Sequence, residues 1–216
     1  MATRTFKLSP STLNLYLDCP RCFWLAIKKG LPRPAGPFPS LPVGMDSVIK
    51  KYFDTYRGKK EMPPILKNKI QGRLALAMPK TLYMSDDSGY VLLGRPDEYV
   101  ELPGEAIAPL DHKTRASAPK ELLPVYQNQL NIYDFLLAKN DYKTGGKAYL
   151  VYYHPAVGEL HQGFPFETTI KEIKTQPEAA EELFHKAIEL LEEEEPPPSH
   201  EDCAFCRWAT NLKTLV

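Results

Sequence analysis

The chain has 216 residues, 43% of them hydrophobic and 25% charged, and its formal net charge is zero. That length accommodates one sizeable domain with its own core, and that composition excludes a disordered chain. There is no apolar run long enough to span a bilayer, and the start "MATRTFKLSP" lacks the apolar region of a signal peptide, so a soluble, cytoplasmic protein is expected.

The charge is unevenly spread. Residues 1–80 hold 15 Lys and Arg against 4 Asp and Glu, a net +11, and residues 81–216 hold the remaining 12 against 23, a net −11. A cationic half suits a polyanionic partner such as nucleic acid. Mutual neutralisation by packing of the two halves explains it equally.

In chain order, "SPSTLNLYLDC" reads as a helix opened by a cap-like Ser9 and Pro10. "CPRCFWLAIKKG" follows, then a connector over 31–44 too rich in proline for regular structure. "MDSVIKKYFDTYR" resumes helical periodicity, with Asp46 placed to cap it. "TLYM", "YVLLGRPDEYVEL" and "AIAPLDHKT" read as three strands in a meander, joined by the turns "SDDSG" and "PGE". "YQNQLNIYDFLLAK" (126–139) is helical, "GGKAYLVYYH" returns to strand, and "FPFET" is placed to pair back on it. "PEAAEELFHKAIELLEEEE" is a long helix ended by "PPPS". The order helix, three strands, helix, strand defines an α/β fold with a mixed sheet. One domain spans 1–216: a basic helical region (1–80), a sheet core (81–154) and a C-terminal helical segment (170–216).

The hairpin "GRPDEYVELPGEAIAPLDHKT" (94–114) carries charge where burial is expected. Alternation puts Asp111 and Lys113 on one face, with Leu110 and His112 on the other. Pairing about a three-residue Pro103-Gly104-Glu105 loop sets Asp97 opposite Asp111. Facing carboxylates repel unless a proton or cation intervenes, and a hard divalent ion suits them. A solvated Asp–Lys pair is the plainer reading. Gln129 and Tyr133, four apart, share a face of the following helix.

"GRPD", "DHKT" and "QLNIY", in that order and spacing, resemble motifs of the PD-(D/E)XK nuclease superfamily. The likeness is to its RecB-like branch, which includes the CRISPR spacer-acquisition exonucleases. The resemblance implies a restriction-endonuclease-like αβββαβ core and hydrolysis of DNA phosphodiesters with Mg²⁺ or Mn²⁺. It implies Asp97 and Asp111 as metal ligands, the His112 backbone carbonyl as another, and Lys113 as the catalytic lysine. Gln129 and Tyr133 would orient the site or contact DNA. One motif departs from the family: a Glu or His is usual on the helix before the first strand, and this helix has neither. Asp46 is the nearest acid and Asp54 a further candidate, which leaves open a weakened enzyme or a DNA-binding scaffold subunit beside a helicase or integrase.

All four cysteines fall in two CxxC pairs, Cys19/Cys22 and Cys203/Cys206. Each pair offers two thiolates from one turn, and together they complete a Cys₄ site clipping the two ends of the chain. The relatives commonly carry a 4Fe-4S cluster, which the resemblance implies here. The two-plus-two arrangement suits zinc as well. "FWL" after Cys22 and Trp208 after Cys206 are placed to shield the site.

Overall fold

A computed structural model describes residues 5–215. The N-terminal region comprises β1 (Lys7–Leu8), α1 (Pro10–Asp18), α2 (Pro20–Lys28) and α3 (Ser40–Asp54). Then come β2 (Arg73–Leu74), β3 (Leu82–Ser85), β4 (Val91–Gly94), β5 (Glu98–Glu101) and β6 (Ile107–Thr114). After them follow α4 (Pro124–Lys139), β7 (Lys147–Pro155), β8 (Phe166–Lys174), α5 (Pro177–Glu192) and α6 (Ala204–Leu215). Among the described residues, no helix is long and apolar enough to cross a membrane.

The strands form two sheets, ordered β1-β4-β3 and β2-β5-β6-β7-β8. β6 and β7 pair in parallel, with α4 as the crossover between them, while β5–β6 and β7–β8 are antiparallel. The core order α3-β2-β5-β6-α4-β7 is the αβββαβ arrangement on a mixed sheet. Its first strand is β2, and the β3–β4 hairpin is an insertion that joins β1 in the second sheet.

The expected meander is therefore broken within its second run. Gly94 ends β4 and Glu98 begins β5. Pro96 between them has no N–H to give a ladder, so continuous pairing stops there. The Asp97 carboxylate takes over instead, its Oδ2 accepting a hydrogen bond from the His112 backbone N–H at 2.9 Å. The expected register across the Pro-Gly-Glu loop is present: Glu98 pairs with Leu110 and Val100 with Ala108. Gly104 and Glu105 turn the chain with φ of 79° and 64°.

A second correction concerns residues 31–44. α3 already begins at Ser40, with Pro39 as its N-cap residue and Pro42 in the first turn. The first-turn N–H groups have no intrahelical acceptor, so a proline there costs no hydrogen bond. Asp46 consequently lies well inside the helix and does not cap it. Ser9 does cap α1: its hydroxyl accepts from the Thr12 N–H, and Thr12 Oγ1 accepts from the Ser9 N–H at 2.7 Å.

α3 lays Ile49 and Phe53 on one face of the large sheet, against Leu110, Tyr149, Val151 and Tyr153. α4 covers the other face with Leu130 and Tyr133, against Leu150 and Tyr152. Its opposite side, Ile132, Phe135 and Leu136, packs with Phe184 of α5 and Leu92 of β4. α4 is thus buried all round from 130 to 137, a central helix between layers. Gly94 allows this close approach, since a Cβ there would stand 2.8 Å from Leu136 Cδ1 and 2.9 Å from Tyr133 Cδ1. Gly94→Val is expected to destabilise the fold by about 1–3 kcal/mol through overpacking, read as a lower Tm. A wild-type Tm would show that α4 is free to move away.

Candidate active site

Alternation along β6 turns Asp111 and Lys113 towards α4, and Leu110 and His112 towards α3. The His112 ring accordingly lies 4.4 Å from the Phe53 ring and next to Tyr153. Asp97 stands one residue beyond the β5 ladder, in register across from Asp111. Asp111 is only 3% exposed. Its Oδ2 lies 2.5 Å from Lys113 Nζ, and its Oδ1 accepts from Gln129 Nε2 at 2.9 Å.

Gln129 holds three groups together. Its Oε1 accepts from Lys113 Nζ at 2.9 Å, and its Nε2 also reaches the Tyr133 hydroxyl at 2.7 Å. Tyr133 in turn donates to the Arg95 carbonyl at 3.1 Å, tying α4 to the break between the two sheets. The Lys113 ammonium also lies over the Tyr126 ring, 4.9 Å from its centroid. The helix spacing of four, which puts Gln129 and Tyr133 on one face, thus builds one network around β6.

Burial pushes the Asp111 carboxyl up to about 6; the Lys113 charge opposes this and Asp97 adds to it. The Asp111 Oδ2 atom is buried, with the Lys113 ammonium beside it. A buried carboxylate oxygen of this kind, beside a second carboxylate in register, fits a hard divalent cation with oxygen ligands.

α3 supplies a third carboxylate. Asp46 Oδ2 accepts from Lys50 Nζ at 2.8 Å, and that same ammonium lies 3.5 Å from Asp97 Oδ1. Asp54 instead pairs with Arg57 at 2.8 Å, and Arg57 bridges to the buried Glu98 at 2.8 Å. Sequence reasoning missed Lys50, Arg57 and Glu98. The i,i+4 spacing of Asp46 and Lys50 was legible, but not that it faces Asp97.

The cysteines meet at the start of two helices. Cys19 is the N-cap residue of α2, with Cys22 in its first turn, and Cys203 immediately precedes α6. The Cys22 Sγ atom lies 3.6 Å from that of Cys203 and 3.5 Å from that of Cys206, and Cys19 is 3.9 Å from Cys206. All four sulfurs lie within 4.8 Å of one another. A tetrahedral ion with bonds of about 2.3 Å needs sulfurs about 3.8 Å apart. The four thiolates are thus gathered as a metal-binding donor set.

Arg33, from the proline-rich connector, donates to Cys203 Sγ at 3.3 Å and stacks on Phe205 at 4.7 Å. Its positive charge offsets that of the thiolates. Phe23 and Trp24 are buried in the main core, whereas Trp208 is 64% exposed and does not shield the site.

The chain matches the PD-(D/E)XK nuclease superfamily over residues 47–210, and it belongs to that superfamily. A solved structure described as "Crystal structure of SSO0001" is similar in fold, with a TM-score of 0.52 and 16% identity, covering 94% of this chain and 84% of that one. No curated protein matches the sequence. The family match begins just after Asp46 and excludes Cys19 and Cys22.

Burial also raises Glu98 to about 7 from its ordinary 4.5, against the pull of Arg57. A carboxyl raised in this way stabilises the fold when protonated, so that contribution is complete below about pH 4.5 and lost as pH rises through 7. The Tm of Glu98→Gln relative to wild type should therefore climb by at least about 2–4 °C between pH 5 and pH 8. His112, held down to about 4 by burial, titrates in both proteins and cancels. A Tm difference independent of pH would mean that Glu98 is not raised.

Proposed function

We propose that this protein is a divalent-metal-dependent deoxyribonuclease that hydrolyses phosphodiester bonds. The observation that carries this reading is the Asp97–Asp111 pair in register across β5 and β6, with Lys113 fixed beside it by Gln129. Asp97, Asp111 and the His112 carbonyl would hold Mg²⁺ or Mn²⁺, while Asp46 on α3 is engaged by Lys50. Such an ion supplies Lewis-acid stabilisation of the phosphate and an activated water.

The remaining chemistry belongs to side chains. Lys113 presents its ammonium to the scissile phosphate and stabilises the charge that develops there. Gln129 keeps both Asp111 and Lys113 in place, and Tyr133 anchors Gln129 to Arg95. Lys51, Lys59, Lys60, Lys67 and Lys69 are exposed on the cationic first 80 residues and offer contacts to the DNA backbone. Other charges there are taken up internally, as in Arg57–Glu98 and Arg73–Glu101.

The finer reading is a RecB-like exonuclease, similar to the CRISPR spacer-acquisition enzymes. It would act in the cytoplasm on single-stranded DNA or single-stranded ends, in repair, recombination or CRISPR-type processing, beside a helicase or integrase. A second reading, a silent DNA-binding subunit, draws on the Lys50 ammonium seated between Asp46 and Asp97. At the cysteines, the sulfur spacing favours one structural zinc ion over the 4Fe-4S cluster that the resemblance implies.

End-labelled single- and double-stranded DNA incubated with Mn²⁺ is expected to be cut, and Lys113→Ala to lower the rate at least about 100-fold. Intact protein that binds DNA without cutting it would establish the silent subunit. Binding should weaken steeply with salt, with a log–log slope near −0.7 for each phosphate contacted on a single strand. Metal analysis should find one zinc per chain and no visible absorption; iron with acid-labile sulfide would restore the cluster.

A further inference from the structure

The site contains a cation of its own besides Lys113. Lys50 Nζ lies 2.8 Å from Asp46 Oδ2 and 3.5 Å from Asp97 Oδ1, so it spans the edge between these two carboxylates. Its neighbour Ile49 and, one turn on, Phe53 are buried in the α3–sheet interface, which fixes the side of the helix that Lys50 presents.

The formal charges at the site nearly cancel. Asp46, Asp97 and Asp111 contribute three negative charges, and Lys50 and Lys113 two positive ones, leaving a net −1. One divalent ion between Asp97 and Asp111 turns this to +1, which matches one phosphodiester. A second ion would need Asp46 and Asp97 as ligands, the edge Lys50 already spans, and would sit beside its ammonium at short range in a partly buried setting.

We propose that Lys50 is a positioning residue that stands in for a second metal ion, so that each chain binds a single divalent ion at the Asp97–Asp111 edge. The proposal rests on the nuclease reading and specifies its metal count. Lys50 keeps Asp46 and Asp97 at a fixed separation and contributes its positive charge without being exchangeable. The nuclease therefore depends on metal concentration as a one-ion enzyme.

Mn²⁺ binding to the full chain, followed by electron paramagnetic resonance and calorimetry, tests this; the hard ion discriminates against the four thiolates. Wild type is expected to bind one Mn²⁺, lost in Asp111→Asn. Lys50→Met, which removes the charge, is expected to bind a second ion, while Lys50→Arg, which keeps it, remains at one. Circular dichroism checks that both variants are folded, and Lys50→Arg preserves a test if Lys50→Met is not. Two ions on wild type, or a count and affinity unchanged in folded Lys50→Met, would overturn the proposal. Two ions together with metal-dependent cleavage would overturn it alone and leave the nuclease standing. No ion on the wild type would overturn both.

Discussion

Asp111 sits on a central strand, almost wholly buried, and an ionised carboxylate there is tolerable only if every nearby group is arranged around it. Lys113, two residues on, shares its face because strands alternate. Gln129 closes the triangle from α4, and it can do so only because α4 is clamped between the large sheet and the α5–β4 layer. Tyr133 extends the network to the Arg95 carbonyl. Removal of any one of these supports would leave a buried charge short of a partner, so the α4 packing and the site chemistry form one system.

The same constraint explains where the sheet breaks. A continuous strand through Arg95-Pro96-Asp97 would lack a donor at Pro96 and would direct Asp97 into a ladder that cannot continue. Ending the ladder at Glu98 releases the Asp97 side chain to accept the His112 N–H and to face Asp111 and Lys50. The β3–β4 hairpin is then free to pair with β1 in a second sheet, and α4 fills the space between the two. A strand end that looks like an imperfection in the sheet is the place where three elements deliver charged side chains to one point.

The cysteine site does a different task at the opposite end of the chain order. Cys22 and Cys203 are 181 positions apart, and joining them closes nearly the whole chain into a loop. Both pairs sit at helix starts, where free N–H groups and the helix dipole favour thiolates. Burial opposes ionisation of Cys203, yet hydrogen bonds from its neighbours bring it down to about 7. Arg33 is drawn from the connector to the same point, which gives that proline-rich segment a fixed course.

Periodicities within a few residues were legible in the sequence, because they follow from backbone geometry alone. They include the shared face of Asp111 and Lys113, the four-residue step from Gln129 to Tyr133, the three-residue hairpin loop with its register, and the thiolate pair in each CxxC. The α/β order and the superfamily motifs rest on the same local patterns. Where α3 begins was not legible, since prolines that bar a helix interior are harmless in its first turn, and so Asp46 was mistaken for a cap. Nor was the partition of strands into two sheets, or the approach of Asp46 and Lys50 to Asp97, because these depend on how α3 crosses the sheet. The spacing of the four sulfurs likewise waits on how closely two distant helix ends dock. Local rules set which side chains share a face; only packing between elements decides which of those faces meet.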